Sequence, residues 1–188
     1  MLDGQATDED AGRAIATALT TGCSSPPTVR EITQTSSDLL AVSNPTTGQP
    51  VAGADELLIT AGGFFFEKVV GYEEQRPSAP IYAKQIGQTD EYLRHSDDSV
   101  VSTFSATEDT SDYVFTIQLI RDPASGSLIL NAQGFFPGAT SIASEYLSTV
   151  IIPALSTYTK TWYVFHWVDS AGGDHMMQPS EVTLVQSG

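Results

Sequence analysis

From Glu56 onward the chain changes character every few residues, and that cadence constrains the fold more than any single motif. Short runs rich in β-branched and aromatic residues occur at 56–60, 63–70, 79–86, 99–104, 112–120, 127–136, 144–152, 159–168 and 181–186, with Gly, Pro, Ser, Asn and Asp between them. Runs of this length suit strands. The intervals leave little room for the helical crossovers of a βαβ protein, so the pattern predicts an all-β antiparallel sandwich, immunoglobulin/fibronectin-III-like or jelly-roll-like.

The clearest unit lies at 112–133. Tyr113, Phe115, Ile117 and Leu119 alternate with Val114, Thr116 and Gln118, and a second arm alternates Leu128, Leu130 and Ala132 with Ile129, Asn131 and Gln133. Between them, Pro123-Ala124-Ser125-Gly126 offers proline where φ must be near −65° and glycine where it must be positive, so a tight hairpin is expected. A second hairpin is expected within 155–185, where the apolar run Trp162–Val168 is followed by the turn-forming stretch Asp169–Asp174 and then by 181–186. Thr161-Trp162-Tyr163-Val164-Phe165-His166-Trp167-Val168-Asp169-Ser170-Ala171-Gly172, with Pro179-Ser180-Glu181-Val182-Thr183-Leu184 after it, resembles the last two strands of a fibronectin type III or related immunoglobulin-like domain. The resemblance covers about thirty residues, is generic to sandwich geometry, and implies no function.

Residues 1–53 form a different region, read as an N-terminal arm preceding a β-sandwich domain at 54–188. A short helix is expected at about 7–19, with Thr7 as its cap, acidic residues in its first turn and Ala11, Ile15, Ala18 and Leu19 on one narrow face. Pro26-Pro27 and the polar stretch beyond it read as extended chain and loop, with one short strand at 38–42. The large apolar side chains of this arm are too few for a core, so it needs another surface to dock on, more readily a neighbouring subunit's than its own.

Eight Lys+Arg against 23 Asp+Glu give a formal charge of −15. That charge repels phosphate backbones and anionic lipid, so neither nucleic acid nor an acidic membrane is an expected partner. No run of about 18 apolar residues is present for membrane insertion. The acidic N-terminus lacks the basic and apolar regions of a secretory signal, and the single Cys23 forms no intrachain disulfide. A surface dominated by Ser, Thr, Asn and Gln favours an extracellular or particle-associated setting over the cytoplasm.

Chemistry-bearing motifs are sparse. Gly-x-Ser-x-Gly, a phosphate-binding loop and a dinucleotide fingerprint are all missing from the sequence. His166, Asp169, Asp174 and His175 cluster around the closing turn, but their spacing brings no two imidazoles to one side of a strand, and strand pairing and turn formation account for them better. Asp97, Asp98, Asp109 and Asp112 lie in loops whose oxygens are of the hard kind calcium takes, although neither loop follows the EF-hand pattern and solvation explains both. No other cofactor is indicated. Tyr72, Tyr82 and Tyr92, in polar surroundings, are the rings most available to stack on a sugar. Phe64-Phe65-Phe66 places aromatics on both faces of its segment and is the expected assembly surface.

These readings favour a non-enzymatic structural or assembly protein that self-associates or packs on a larger particle, of the phage tail, capsid or surface filament type. The alternatives are a carbohydrate-binding or adhesive module and a small secreted hydrolase with an unrecognised site.

Overall fold

The computed structural model describes residues 4–21, 28, 43–51, 53, 56–62, 68–105, 107–170 and 173–188. Its architecture grows outward from the hairpin expected at 112–133. Strand β5 (Asp112–Arg121) pairs antiparallel with β6 (Leu128–Gly134), Phe115 standing opposite Gly134 and Arg121 opposite Leu128. Asp122 closes the turn in three ways. Its N–H donates to the Ser127 carbonyl (3.0 Å), its carbonyl accepts from the Gly126 N–H (2.8 Å), and its carboxylate accepts from the Ser125 N–H (2.7 Å). Gly126 takes φ 79°, the left-handed conformation its lack of Cβ permits.

On the other side of β5 lies β7 (Trp162–Val168), antiparallel to it and followed at the sheet edge by β8 (Val182–Ser187). The far edge is β1 (Leu57–Ala61), giving the five-stranded order β1-β6-β5-β7-β8. Strand β1 runs parallel to β6, so the expectation of a wholly antiparallel sheet is corrected here. The chain between those strands builds a second sheet, the antiparallel meander β2 (Ile81–Ile86), β3 (Thr89–Arg94) and β4 (Val100–Ser105). Neither sheet closes into a barrel.

Three helices complete the described chain: α1 (Gly4–Thr21), α2 (Lys68–Glu74) and α3 (Pro137–Tyr146). The first begins three residues before the expected cap, so Thr7 lies inside it. The second corrects the strand expected at 63–70, of which residues 68–70 are helical. The third continues through a π turn (Leu147–Ile151) into a 3₁₀ segment (Ile152–Thr157), correcting the strand expected at 144–152. Pro153 has no N–H for the helical ladder, and the Ser148 and Thr149 hydroxyls donate back to the Glu145 carbonyl, which together loosen the helix over these turns. The strand expected at 38–42 lies outside the described residues.

Strand alternation sorts the core into two sides. Tyr113, Phe115, Ile117, Ala132, Tyr163, Phe165 and Trp167 face a helical layer that contributes Ile15, Ala139, Ile142, Ala143, Tyr146, Leu147 and Ile151. Ile15 is fully buried there, so α1 docks on its own chain. On the opposite side, Val114, Trp162 and Val164 meet Ile81 and Tyr92 of the small sheet, while Ile120 and Ile129 meet Val69 and Ala79.

The helical layer sits close because glycine stands at two contacts. A Cβ on Gly134 would overlap Ala139, and one on Gly138 would overlap the Tyr113 ring. Gly134→Ala is therefore expected to cost about 1–3 kcal/mol through overpacking. Gly12, in α1 with open space around it, is expected to gain up to about 1 kcal/mol as alanine. Urea denaturation midpoints of the two variants should move in opposite directions.

Candidate functional site

The face of the large sheet that meets α2 and the small sheet carries a polar block where a core would ordinarily be apolar. Thr116 stands opposite Gln133, Gln118 opposite Asn131, and Asn131 opposite Thr60 on β1. All five are buried. Thr60 donates its hydroxyl to Asn131 Oδ1 at 2.9 Å. Over the block sits Glu74, the last residue of α2. Its Oε1 accepts from the Nε2 groups of Gln118 (3.5 Å) and Gln133, and its Oε2 accepts from the Ala83 N–H at 3.0 Å. Burial pushes the Glu74 carboxyl from the ordinary 4.5 up to about 7, opposed by the hydrogen bonds from Ala83, Gln133 and Gln118.

Neighbouring acids are raised as well. Glu73 is held up chiefly by burial, against its bond from Ser78 (2.8 Å) and with the Asp122 charge adding to the rise. Asp90 is held up by burial. Burial, with the Glu74 charge beside it, also keeps the Tyr92 phenol well above its ordinary value. The block is sealed between layers, so its acid–base character bears on stability first.

A surface groove of about 340 Å³ runs between β4 and the β5–β7–β8 end of the large sheet, lined by Ser102, Phe104, Asp109, Asp112, Phe136 and His166 among others. His166 Nε2 lies 2.6 Å from Asp112 Oδ1 across the β5–β7 pairing. Among the described residues, no lysine or arginine lines this groove. The Asp109 carboxylate is taken up by the Ser111 N–H and hydroxyl, at 3.0 and 2.7 Å, and those bonds hold its pKa below the ordinary value.

The residues singled out in the sequence are dispersed. Tyr92 is 1% exposed and packs against Phe104 and Phe135, so it presents no face to solvent, and the reading of it as a sugar-stacking ring is corrected. Tyr72 lies under the Arg76 guanidinium at 3.4 Å. Tyr82 stacks on His95 with ring centroids 4.4 Å apart and donates to Asp98 at 3.0 Å. Of the acidic candidates, Asp97 and Asp98 sit on the β3–β4 turn, whereas Asp109 and Asp112 border the groove. The Ser99 hydroxyl and then the Ser99 N–H, which Asp97 accepts at 3.0 Å, hold the Asp97 pKa below its ordinary value. No group of three or more His, Cys, Asp and Glu side chains converges as a metal site among the described residues. Asp169 accepts from the backbone of Gly173 and His175, and Asp174 from Met176, so both shape the β7–β8 loop. Phe64, Phe65 and Phe66 lie outside the described residues.

One surface feature escaped sequence reading. On the helix-facing side of the large sheet, register aligns Leu57 with Leu128 and Arg121, and Ile59 with Leu130 and Leu119. Leu57 and Leu119 remain 43% and 42% exposed there, while Ile59 and Leu130 pack partly against the helical core. Five large aliphatic side chains thus adjoin one another across three strands. The individual strands were legible; their parallel register was not.

The class these observations define is a strand-rich protein of two open sheets with helices over the outer face of the larger one. No family model, curated protein or solved structure matches the chain at a significant level. No helix among the described residues is long and apolar enough to cross a membrane.

Glu74 makes a testable pH dependence. Its folded pKa lies above the unfolded value, so the native state holds the proton more tightly. Stability therefore falls as pH rises from about 4.5 to about 7 and levels off above that, a loss on the order of 3 kcal/mol. Glu73 and Asp90 act in the same direction. Urea denaturation should give a lower midpoint at pH 8 than at pH 5, and Glu74→Gln should flatten most of the difference. A wild-type midpoint that rises across this window contradicts the assignment.

Proposed function

We propose that this chain is a non-enzymatic structural subunit that self-associates through the aliphatic patch formed by Leu57, Ile59, Leu119, Leu128 and Leu130. The observation carrying this reading is the alignment of those five side chains by strand register, with Leu57 and Leu119 left exposed on it. Charge supports a second copy as the occupant. At −15, two copies repel through most of their surfaces, whereas the aligned rows contain no acid and one base, Arg121. A patch of one chemistry meeting itself about a twofold axis also gives a closed assembly. The packing of Tyr92, Phe104 and Phe135 between the layers supports a sandwich as the finer description of the fold. A place on a larger particle extends the same reading.

Light scattering of the purified chain should give a multiple of 20.1 kDa, and Leu119→Lys should return it to the monomer mass without loss of fold. A wild-type monomer at the highest soluble concentration would remove the proposal.

A second reading, binding of a neutral saccharide, is favoured by the groove beside His166 and Asp112. Its hydroxyls, carboxylates and aromatic walls suit a ligand with alternating polar and apolar faces. Glycan binding lost in Asp112→Asn would distinguish it.

A further inference from the structure

A second pocket, of about 310 Å³, opens on the small-sheet side and is lined by Pro77, Pro80, Arg94, His95, Ser96 and Trp162. Its chemistry is unlike that of the rest of this acidic molecule. Arg94 ends β3 and holds its guanidinium 6.0 Å from the centre of the Trp162 ring. Its Nε is buried yet meets no hydrogen-bond acceptor among the described residues. Three other cationic side chains donate to backbone carbonyls: Lys68 to Pro45 (2.6 Å), Arg76 to Tyr72 (2.6 Å) and Arg121 to Gly126 (3.0 Å). The exposed Asp97 carboxylate, held by Ser99, lies within electrostatic reach of Arg94.

We propose that this pocket binds a small monocarboxylate with an apolar body. A guanidinium presents N–H donors in a planar fork that matches a carboxylate. His95 Nε2 contacts the Glu74 carbonyl (2.8 Å); because a carbonyl only accepts, that nitrogen is the donor. With one guanidinium to balance it and Asp97 close by, a ligand carrying one negative charge is favoured over a phosphate dianion. Pro77, Pro80 and Trp162 provide apolar walls, and the volume lies at the small end of ordinary ligand pockets, roughly 300–1,000 Å³.

The test uses the full chain and benzoate, with benzyl alcohol as the neutral analogue and inorganic phosphate as the dianion. Trp162 and Trp167 are the two tryptophans, so indole fluorescence reports directly on the pocket. Benzoate should produce a saturable change, benzyl alcohol and phosphate much weaker ones. Arg94→Met should weaken benzoate by more than about tenfold, the scale of a charge-assisted hydrogen bond. Arg94→Lys, which keeps the charge and loses the fork, should fall between, and it carries the comparison if the methionine variant fails to fold. The proposal is overturned by no saturable change with benzoate, by benzyl alcohol or phosphate binding as tightly as benzoate, or by unaltered benzoate affinity in the folded variants.

Discussion

Strand β5 is covered on both faces, and the rest of the structure follows from that burial. Its odd-numbered residues from Tyr113 to Ile117 enter the helical side of the core, while Val114, Thr116, Gln118 and Ile120 are buried on the other side. A strand with two buried faces needs two covering layers, and the five-stranded sheet can cover neither side of itself. Helices α1 and α3 provide one layer. Helix α2 and the β2–β4 meander provide the other, which is why a second sheet lies between β1 and β6 in sequence and why those two strands can run parallel.

The second layer comes with polar groups that must then be matched. Gln118 and Gln133 cannot leave this layer without turning the whole strand, because a one-residue register shift would take Phe115 and Ile117 out of the helical core. Glu74 meets them from α2 as a buried acceptor. An apolar residue there would leave two buried amides with fewer partners, whereas a carboxylate accepts from both and incurs a desolvation cost that appears as its raised pKa. Matching of this kind also favours one docking of α2 on the sheet over its sliding alternatives.

Sequence reading recovered the elements whose signals are local. The alternation at 112–133 and the turn chemistry of Asp122 through Gly126 predicted the central hairpin, and the apolar run at 162–168 predicted β7. It failed where two local signals conflicted. At 144–152, Thr149, Val150, Ile151 and Ile152 favour a strand by residue type, yet Ala139, Ile142, Ala143, Tyr146, Leu147 and Ile151 recur at three- and four-residue steps and bury one helical face. Spacing prevailed because packing against β5 and β6 rewards a continuous stripe. Strand β3 was missed for the opposite reason: Thr-Asp-Glu-Tyr-Leu-Arg carries charge, and the burial of Asp90 and Tyr92 depends on neighbours far away in the chain.

The candidate sites were less legible than the fold because each is assembled by pairing across distant strands. Glu73 and Glu74 are adjacent in sequence yet point into different surroundings, Glu73 toward Ser78 and Glu74 toward the paired glutamines. Tyr92 read as available because its sequence neighbours are polar, but alternation turns Glu91 to the other face and leaves Tyr92 in the core, with Asp90 buried beside it. The aliphatic patch obeys the same logic in reverse. Leu57, Ile59, Leu128 and Leu130 belong to two ordinary strands, and Ile59 and Leu130 do pack partly against the helical core, yet Leu57 stays exposed. Register, not the composition of either strand, is what sets exposed Leu57 and Leu119 beside Leu128 and Leu130.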